Sequence, residues 1–343
     1  DVLERKVARS LDDDHRRFLL HTVGESQRDM LNNPTAAIHA FRRALELDPT
    51  DLVALEALDG LLSQRGDHRG LAEVLQQRLD VESDPAARTD TALRLGRLWE
   101  RSLEDPHHAI DAYRRALDES PSQAEAIRAL ERLFAAQSMF PELLENLRMQ
   151  VALAASPADR SALLLRIGAL QQKELSDSDA ALDSYREVLA AEPTNAQALT
   201  AVREISQDVD QRVAAVEVLE PLYRGAGRWD DLVQVLEHRI ECIDDPAQRA
   251  SERRRIAAVH EDGRKDPAAA FESYLLAFSE DAGEPSTLAE LERLAASLGR
   301  WTDLVSALER AVRDGSDPSA GRDLSVRAAR ISVERIEDDT RAA

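Results

Sequence analysis

Residues 95–121 read LGRLWERSLEDPHHAIDAYRRALDESP, and the main features of this stretch recur along the chain at a step of 72 residues. In order, they are a Leu-Gly pair, an alanine, a tyrosine, a second alanine and a closing proline: Leu95-Gly96, Ala109, Tyr113, Ala116 and Pro121. The closing proline recurs at the same step as Pro49 and Pro193. A fixed period of this kind is the signature of an array of small supersecondary units.

The spacing of the small and aromatic residues predicts closely packed helix pairs. The small residue is Gly24, Gly96, Gly168 or Ala257, and the aromatic residue 17 positions later is Phe41, Tyr113, Tyr185 or Tyr274. The alanine, the aromatic residue and the third site follow at i, i+4 and i+7, which places them on one helix face. A small residue on the first helix lets the second approach closely, and the ring fills the groove between them.

The rest of each 72-residue unit predicts a second helix pair. Leucines at i, i+4 and i+8, such as Leu71, Leu75 and Leu79, follow a glycine that is typical of a helix end. After residue 200 the register slips by 17 residues, because 212–224 repeats the pattern of the preceding helix. We therefore expect one extra helix near 206–224, which Pro221 should kink or shorten. This helix is either a tolerated insertion or a bend or docking surface.

The order of these residues resembles the unit of the tetratricopeptide repeat (TPR) family. The resemblance covers nearly the whole chain and is strongest around Leu95-Gly96, Trp99, Ala109, Tyr113, Ala116 and Pro121. It implies an all-α fold, a right-handed α-solenoid of about nine antiparallel helix pairs. In that superhelix the first helix of each pair lines a concave face.

We expect a single array over residues 1–343, with units of about 1–49, 50–121, 122–193, 194–285 and 286–343. Both ends of the sequence align with the interior of a repeat. We interpret the chain as a fragment of a longer array.

The charge balance limits the class of partner. The formal net charge is −21, which argues against nucleic acid, because phosphates require lysine and arginine. The acidic surface either keeps the molecule in solution or attracts a basic partner. No apolar stretch reaches the roughly 18 residues of a membrane span, so we expect a soluble protein, cytoplasmic rather than periplasmic. Only three of the 44 basic residues are lysines, which we interpret as the codon bias of a GC-rich, bacterial genome.

No motif indicates catalysis, a cofactor or a metal. Neither a glycine-rich phosphate loop nor a Gly-x-Ser-x-Gly turn is present. His107 and His108 are adjacent, so their rings point apart on a helix and do not share a metal. We therefore expect a protein that is not an enzyme and has no catalytic, cofactor or metal site.

The sequence predicts a non-catalytic scaffold that binds a protein or peptide partner along the concave face. Two alternatives remain open: a structural spacer, and a regulatory repeat section of a larger multidomain enzyme or signalling protein. By the geometry of the TPR family, the groove would be lined by Glu25, Arg28, Arg97, Glu100, Arg101, Gln172, Lys173, Glu261 and Asp262. The family's Lys and Asn clamp for acidic C-termini is not met at these positions, so we expect a different ligand.

Overall fold

The computed structural model describes residues 2–314 and 318–336, and every regular element in these ranges is a helix. The helices are α1 (Val2–Arg9), α2 (Asp13–Glu25), α3 (Pro34–Leu47), α4 (Leu52–Arg65), α5 (His68–Val81), α6 (Pro85–Arg101), α7 (Pro106–Glu119), α8 (Ala124–Ala136), α9 (Phe140–Leu153), α10 (Pro157–Lys173), α11 (Ser178–Ala191), α12 (Ala196–Ile205), α13 (Arg212–Gly225), α14 (Trp229–Ile240), α15 (Pro246–Ala258), α16 (Pro267–Glu280), α17 (Pro285–Leu298), α18 (Trp301–Asp314) and α19 (Pro318–Ile331). Short π-helical turns extend α2, α15 and α19 over Ser26–Met30, Val259–Gly263 and Ser332–Ile336. The predicted last unit, 286–343, also includes residues 315–317 and 337–343, which lie outside the described ranges.

The chain divides into two compact units, residues 1–155 and 156–343. In the first unit, the neighbouring helices α2/α3, α4/α5, α6/α7 and α8/α9 form hairpins, and α1 packs against α2. In the second unit, the hairpins are α10/α11, α13/α14, α15/α16 and α17/α18, and α19 packs against α18. The prediction of an all-α chain of antiparallel helix pairs is confirmed.

The extra helix is also present. Two helices, α12 and α13, follow α11 where the other repeats have one, and α11 contacts both. Pro221 does not end α13, which continues to Gly225. The last turn persists because the Tyr223 side chain is buried and anchors it.

The close approach within the hairpins depends on glycine. A Cβ atom built on Gly24 or Gly168 would lie 2.6 Å from a ring carbon of Phe41 or Tyr185 respectively. Contacts this short do not occur between real side chains, so the ring occupies the space that only glycine leaves. The small and aromatic sites in the sequence therefore meet as predicted.

The turn inside four of the hairpins has one repeated design. In each of these turns, the residue directly before the N-cap of the second helix has a left-handed backbone. These residues are Asn32, Glu104, Ser176 and Lys265. The next residue caps the second helix by accepting a hydrogen bond from a backbone N–H three residues on, at Asn33, Asp105, Asp177 and Asp266. Each turn thus stops one helix and starts the next with its own residues.

The prolines between hairpins do not all have the same position. Pro49, Pro121 and Pro193 lie in turns, whereas Pro285 is the first residue of α17. Ala282 holds the turn position there, because Glu284 caps the helix directly before Pro285. No helix in the described part of the chain is long and apolar enough to cross a membrane.

Candidate functional site

The nine predicted groove residues all lie on first helices or on their terminal π turns. We call the row of first helices the first-helix face: α2, α4, α6 and α8 in the first unit, and α10, α12, α13, α15 and α17 in the second. The predicted residues are Glu25 on α2, Arg28 in its π turn, Arg97, Glu100 and Arg101 on α6, Gln172 and Lys173 on α10, and Glu261 and Asp262 in the π turn after α15.

Glu100 links one helix pair to the next. It accepts a hydrogen bond of 2.8 Å from the Tyr113 hydroxyl on α7 and another of 2.8 Å from Arg132 on α8. Partial burial opposes ionisation of Glu100, but the hydrogen bonds from Arg132 and Tyr113 outweigh it, so the pKa of Glu100 lies below its ordinary value. Burial and the neighbouring Glu100 raise the pKa of Tyr113, so its hydroxyl remains a donor.

Arg97 makes a second link between the same helices. Its guanidinium lies 3.0 Å from the carboxylate of Glu125 on α8. Arg101, in the last turn of α6, is exposed. Two of the three predicted residues on α6 are therefore engaged between repeats.

We number the repeats by a hairpin and the first helix that follows it: α2/α3 with α4 is the first, α6/α7 with α8 the second, α10/α11 with α12 the third, and α15/α16 with α17 the fourth. The first repeat lacks such links at the predicted positions. Glu25 and Arg28 are both exposed, and Arg28 pairs with its own neighbour Asp29 at 2.6 and 2.9 Å. This hydrogen bond to Asp29 raises the pKa of Arg28. The two predicted residues form an ordinary solvated helix end.

In the second unit, Glu261 repeats the role of Glu100. Arg293 on α17 donates to both of its carboxylate oxygens, at 2.6 and 2.7 Å. Arg293 also contacts Glu290 at 2.7 Å, and the hydrogen bonds that it donates to Glu261 and Glu290 raise its pKa. Asp262 beside this pair is exposed.

The third repeat has a cavity where the second and fourth have an ion pair. Gln172 and Lys173 lie at the edge of a space of about 450 Å³ between α10, α11 and α12. The Tyr185 hydroxyl donates to the amide oxygen of Gln172 at 3.4 Å. The cavity is lined by Leu165, Ala169, Gln172, Lys173, Tyr185, Ala196, Gln197, Thr200, Ala201 and Glu204.

The cavity arises from substitutions between the second repeat and the third. At the 72-residue step, Arg97, Glu100, Glu125, Arg128 and Arg132 of the second repeat become Ala169, Gln172, Gln197, Thr200 and Glu204. Both links of the second repeat lose their partners, and three long arginine side chains become shorter ones. The space that those side chains would fill is left open.

Two charged groups at the cavity are unpaired. Lys173 and Glu204 are exposed, and neither forms an ion pair with another described residue. Burial, followed by the charge of Glu204, raises the pKa of Tyr185 to about 12. The tyrosine hydroxyl, the Gln172 amide and the Glu204 carboxylate therefore form a polar rim above a floor of Leu165 and alanines.

The sequence analysis identified Gln172 and Lys173 but missed Tyr185, Thr200 and Glu204 as members of one site. The signal was available, because the loss of three arginines at a 72-residue step is visible in the sequence. The three lost arginines are exposed or half-buried and lie outside the packing positions that carry the repeat pattern.

The histidine pair and the arginine run, which could suggest a metal or an anion site, have structural roles. His108 stacks on Trp99 with ring centroids 4.4 Å apart and contacts Asp105 at 2.7 Å. Within the described ranges, no cluster of three His, Cys, Asp or Glu side chains could hold a metal ion. Arg253, Arg254 and Arg255 contact Glu280, Thr287 and Glu252 respectively, so they point away from a common site.

Comparison with known proteins gives structural likeness only. No protein-family model matches the chain, and no curated protein matches it. Among solved structures, YrrB, described as a TPR protein with an unusual peptide-binding site, has 15% identity, covers 59% of this chain and 97% of its own, and has a TM-score of 0.31. The C-terminal part of a TPR repeat-containing protein from Cytophaga hutchinsonii has 14% identity, with 82% and 99% of the two chains covered and a TM-score of 0.31. The TPR domain of P58(IPK) has 14% identity, with 93% and 98% covered and a TM-score of 0.24.

The family resemblance can be judged on the geometry of this chain itself. The glycine of a first helix meets the aromatic ring of the second in three hairpins, and a left-handed residue followed by an Asn or Asp cap joins the two helices. These contacts recur in the order of the tetratricopeptide unit. The described part of the chain is an all-α array of helix pairs whose packing residues resemble the tetratricopeptide unit.

Proposed function

We propose that this protein is a non-catalytic scaffold that binds a protein or peptide partner along its first-helix face. The observation that carries the proposal is the cavity between α10, α11 and α12, with its unpaired Lys173 and Glu204. In the second repeat the equivalent surface is closed by ion pairs made within the chain. The surface of the third repeat is left open and polar, so it is available to a second molecule.

The composition of the chain supports a basic partner. With a net charge of −21, the protein attracts cationic molecules at long range and repels acidic ones. Such complementarity increases the rate of association and selects among partners, while local contacts determine how long the complex lasts. An array of helix pairs offers an extended surface for those contacts.

Site-specific photo-crosslinking tests this proposal. A photoreactive amino acid is introduced at Arg101, Lys173 or Asp262 on the first-helix face, and at exposed positions Asp111 on α7 and Asp183 on α11 as controls on second helices. The protein is expressed in cells of its source, and crosslinked partners are identified by mass spectrometry. We expect one defined partner from the first-helix positions and none from the controls.

Two results would contradict the proposal. Equal crosslinking from both sets of positions would indicate non-specific contact. The absence of any crosslinked partner would favour the structural spacer.

A further inference from the structure

We propose that the cavity between α10, α11 and α12 is a subsite for an arginine side chain from an extended, basic segment of the partner. This inference rests on the proposed function and specifies the chemistry of its ligand. The second, third and fourth repeats differ in the residues that they place at this position.

In the second and fourth repeats, the chain supplies an arginine of its own at this position. Arg132 binds Glu100, and Arg293 binds Glu261. In both places the guanidinium comes from the next first helix and meets an acceptor on the preceding one. Two repeats therefore hold a guanidinium at this position by the same contact.

The third repeat retains acceptors but lacks the arginine. Gln172 replaces the first carboxylate, and its amide oxygen still accepts from the tyrosine hydroxyl, now that of Tyr185. Glu204 replaces the arginine itself, so an exposed carboxylate occupies the place of the cation. A cation from outside the chain would meet Glu204 and Gln172 together.

The apolar floor and the paired acceptors of the cavity favour arginine over other cations. The floor of Leu165, Ala169 and Ala201 suits the aliphatic stem of a long side chain, whose charged head remains at the polar rim. A guanidinium presents several donors in a rigid, planar fork and can reach two acceptors at once, whereas an ammonium acts as a point charge. An acidic side chain would meet Glu204 with like charge.

Lys173 does not oppose this assignment. The equivalent residue in the second repeat is Arg101, which lies next to the Glu100–Arg132 pair. Its positive charge helps to lower the pKa of Glu100. A cation at this position therefore coexists with a bound guanidinium. At the rim of the cavity, Lys173 is free to donate to backbone carbonyl groups of an extended segment.

The test uses the full chain and four labelled peptides of the form acetyl-GSGSXSGSG-amide, in which X is arginine, lysine, norleucine or glutamate. Binding is measured by fluorescence anisotropy at low ionic strength. The arginine peptide should bind most tightly. The norleucine peptide should bind about tenfold more weakly, a factor that corresponds to about 1.4 kcal/mol.

Two variants make the test specific: a closing variant, which fills the cavity of the third repeat, and an opening variant, which removes the ion pairs of the second repeat. Gln172→Glu with Glu204→Arg rebuilds the ion pair of the second repeat and should remove arginine-peptide binding without changing the circular dichroism or lowering the melting temperature. Glu217→Gln on α13 gives the same net charge change at an exposed position outside the cavity and should bind the peptide normally. The converse variant of the second repeat, Arg97→Ala with Glu100→Gln, Arg128→Thr and Arg132→Glu, should create a second arginine site.

The subsite would be overturned if the closing variant binds the arginine peptide as well as the parent does. Tighter binding of the glutamate peptide would also overturn it and would assign the cavity to an anion at Lys173. Crosslinking of the closing variant tests the proposed function separately. If the partner still crosslinks to its first-helix face, the scaffold function is supported and the arginine subsite is contradicted.

Discussion

The ring of Tyr113 lies so close to the backbone of Gly96 that a Cβ atom on Gly96 would be 2.7 Å from the Tyr113 Cε1 atom. Tyr113 is almost fully buried, so the ring has little room to move. We predict that Gly96→Ala forces α6 and α7 apart and lowers the free energy of unfolding by about 1–3 kcal/mol. Urea denaturation measures this change.

Gly60 provides the matched control. It lies inside α4 at an exposed position, and a Cβ atom there would meet nothing within 4 Å. Gly60→Ala should therefore stabilise the protein by about 0.5–1 kcal/mol, because alanine loses less backbone entropy in a helix. Equal effects of the two substitutions would show that the Gly96–Tyr113 contact does not control the hairpin.

Glu100 should make stability depend on pH in the acid range. Its pKa is below the ordinary value of 4.5, so its stabilising contribution is complete above that value and is lost as the pH falls through the folded-state pKa. Glu100→Gln should cost about 1 kcal/mol at neutral pH. The cost should disappear at low pH, where the carboxyl group is protonated in both states. A cost that stays constant between pH 7 and pH 3 would contradict the proposed bridge.

Ser138 has a left-handed backbone at a position where three other hairpins have glycine. Its φ is 54°, and the equivalent Gly66, Gly227 and Gly299 have φ of 70°, 65° and 69°. We predict that Ser138→Gly stabilises the protein by about 0.5–1 kcal/mol, because it removes the steric cost of a side chain in this conformation. Gly66→Ser should destabilise it, by about 1–2 kcal/mol. Thermal melts of the two variants should therefore shift in opposite directions.

His260 should make the second unit sensitive to mild acid. Burial, followed by the charge of Arg264, lowers the pKa of His260 below its ordinary value of 6.5. The unfolded chain binds the proton more readily, so stability should fall as the pH decreases from 6.5 towards the folded-state pKa.

His260→Gln tests this prediction with a residue that the fold already accepts. At the equivalent position in the third repeat, Gln171 is buried and accepts a hydrogen bond of 2.7 Å from Ser184. The residue equivalent to Ser184 in the fourth repeat is also a serine, Ser273. The variant should lose the decrease in melting temperature between pH 7 and pH 5.5. An unchanged decrease would assign it to another group.

We predict that the extra helix can be deleted if the residue that then faces Arg255 is made acidic. Deleting 206–222 joins α12 to the last turn of α13 and restores the 72-residue step. It also removes Glu220, which pairs with Arg255, and brings Arg203 to that position. We predict that the deletion variant remains helical by circular dichroism and that adding Arg203→Glu raises its melting temperature.

In the parent chain, without the deletion, the same Arg203→Glu substitution should have the opposite effect. There Arg203 donates to the Tyr223 hydroxyl at 2.6 Å and lies over its ring. Loss of this contact should lower the melting temperature. A substitution that acts in the same direction in both backgrounds would refute this alignment of the helices. The bend that we predict between residues 194 and 229 would be tested by small-angle scattering of the parent and the deletion variant.

Most of the fold could be predicted because its signals are local and steric. Gly96 and Tyr113 are 17 residues apart in the sequence, and Asp105 caps the helix that begins at the next residue. Such contacts depend on residue size and backbone preference, which the sequence shows directly. The extra helix was found in the same way, from its apolar spacing.

The pairing of charges could not be predicted in this way. Glu100 and Arg132 have long, flexible side chains on different helix pairs, and which carboxylate meets which guanidinium depends on how the pairs pack. The cavity at Ala169 and Glu204 is harder to predict than the ion pairs, because it results from the replacement of long side chains by shorter ones. Only a comparison between repeats, position by position, indicates it.

The repeated turn, with Glu104 in the left-handed conformation and Asp105 as the cap, has a consequence for how the chain is made. Each of the four hairpins with this turn contains its own stop signal, its own start signal and the ring that closes it. A hairpin such as α6/α7 can therefore form as soon as it emerges from the ribosome, without waiting for distant segments. Synthesis then adds pairs one after another, and each new pair covers the apolar face that the preceding pair leaves exposed.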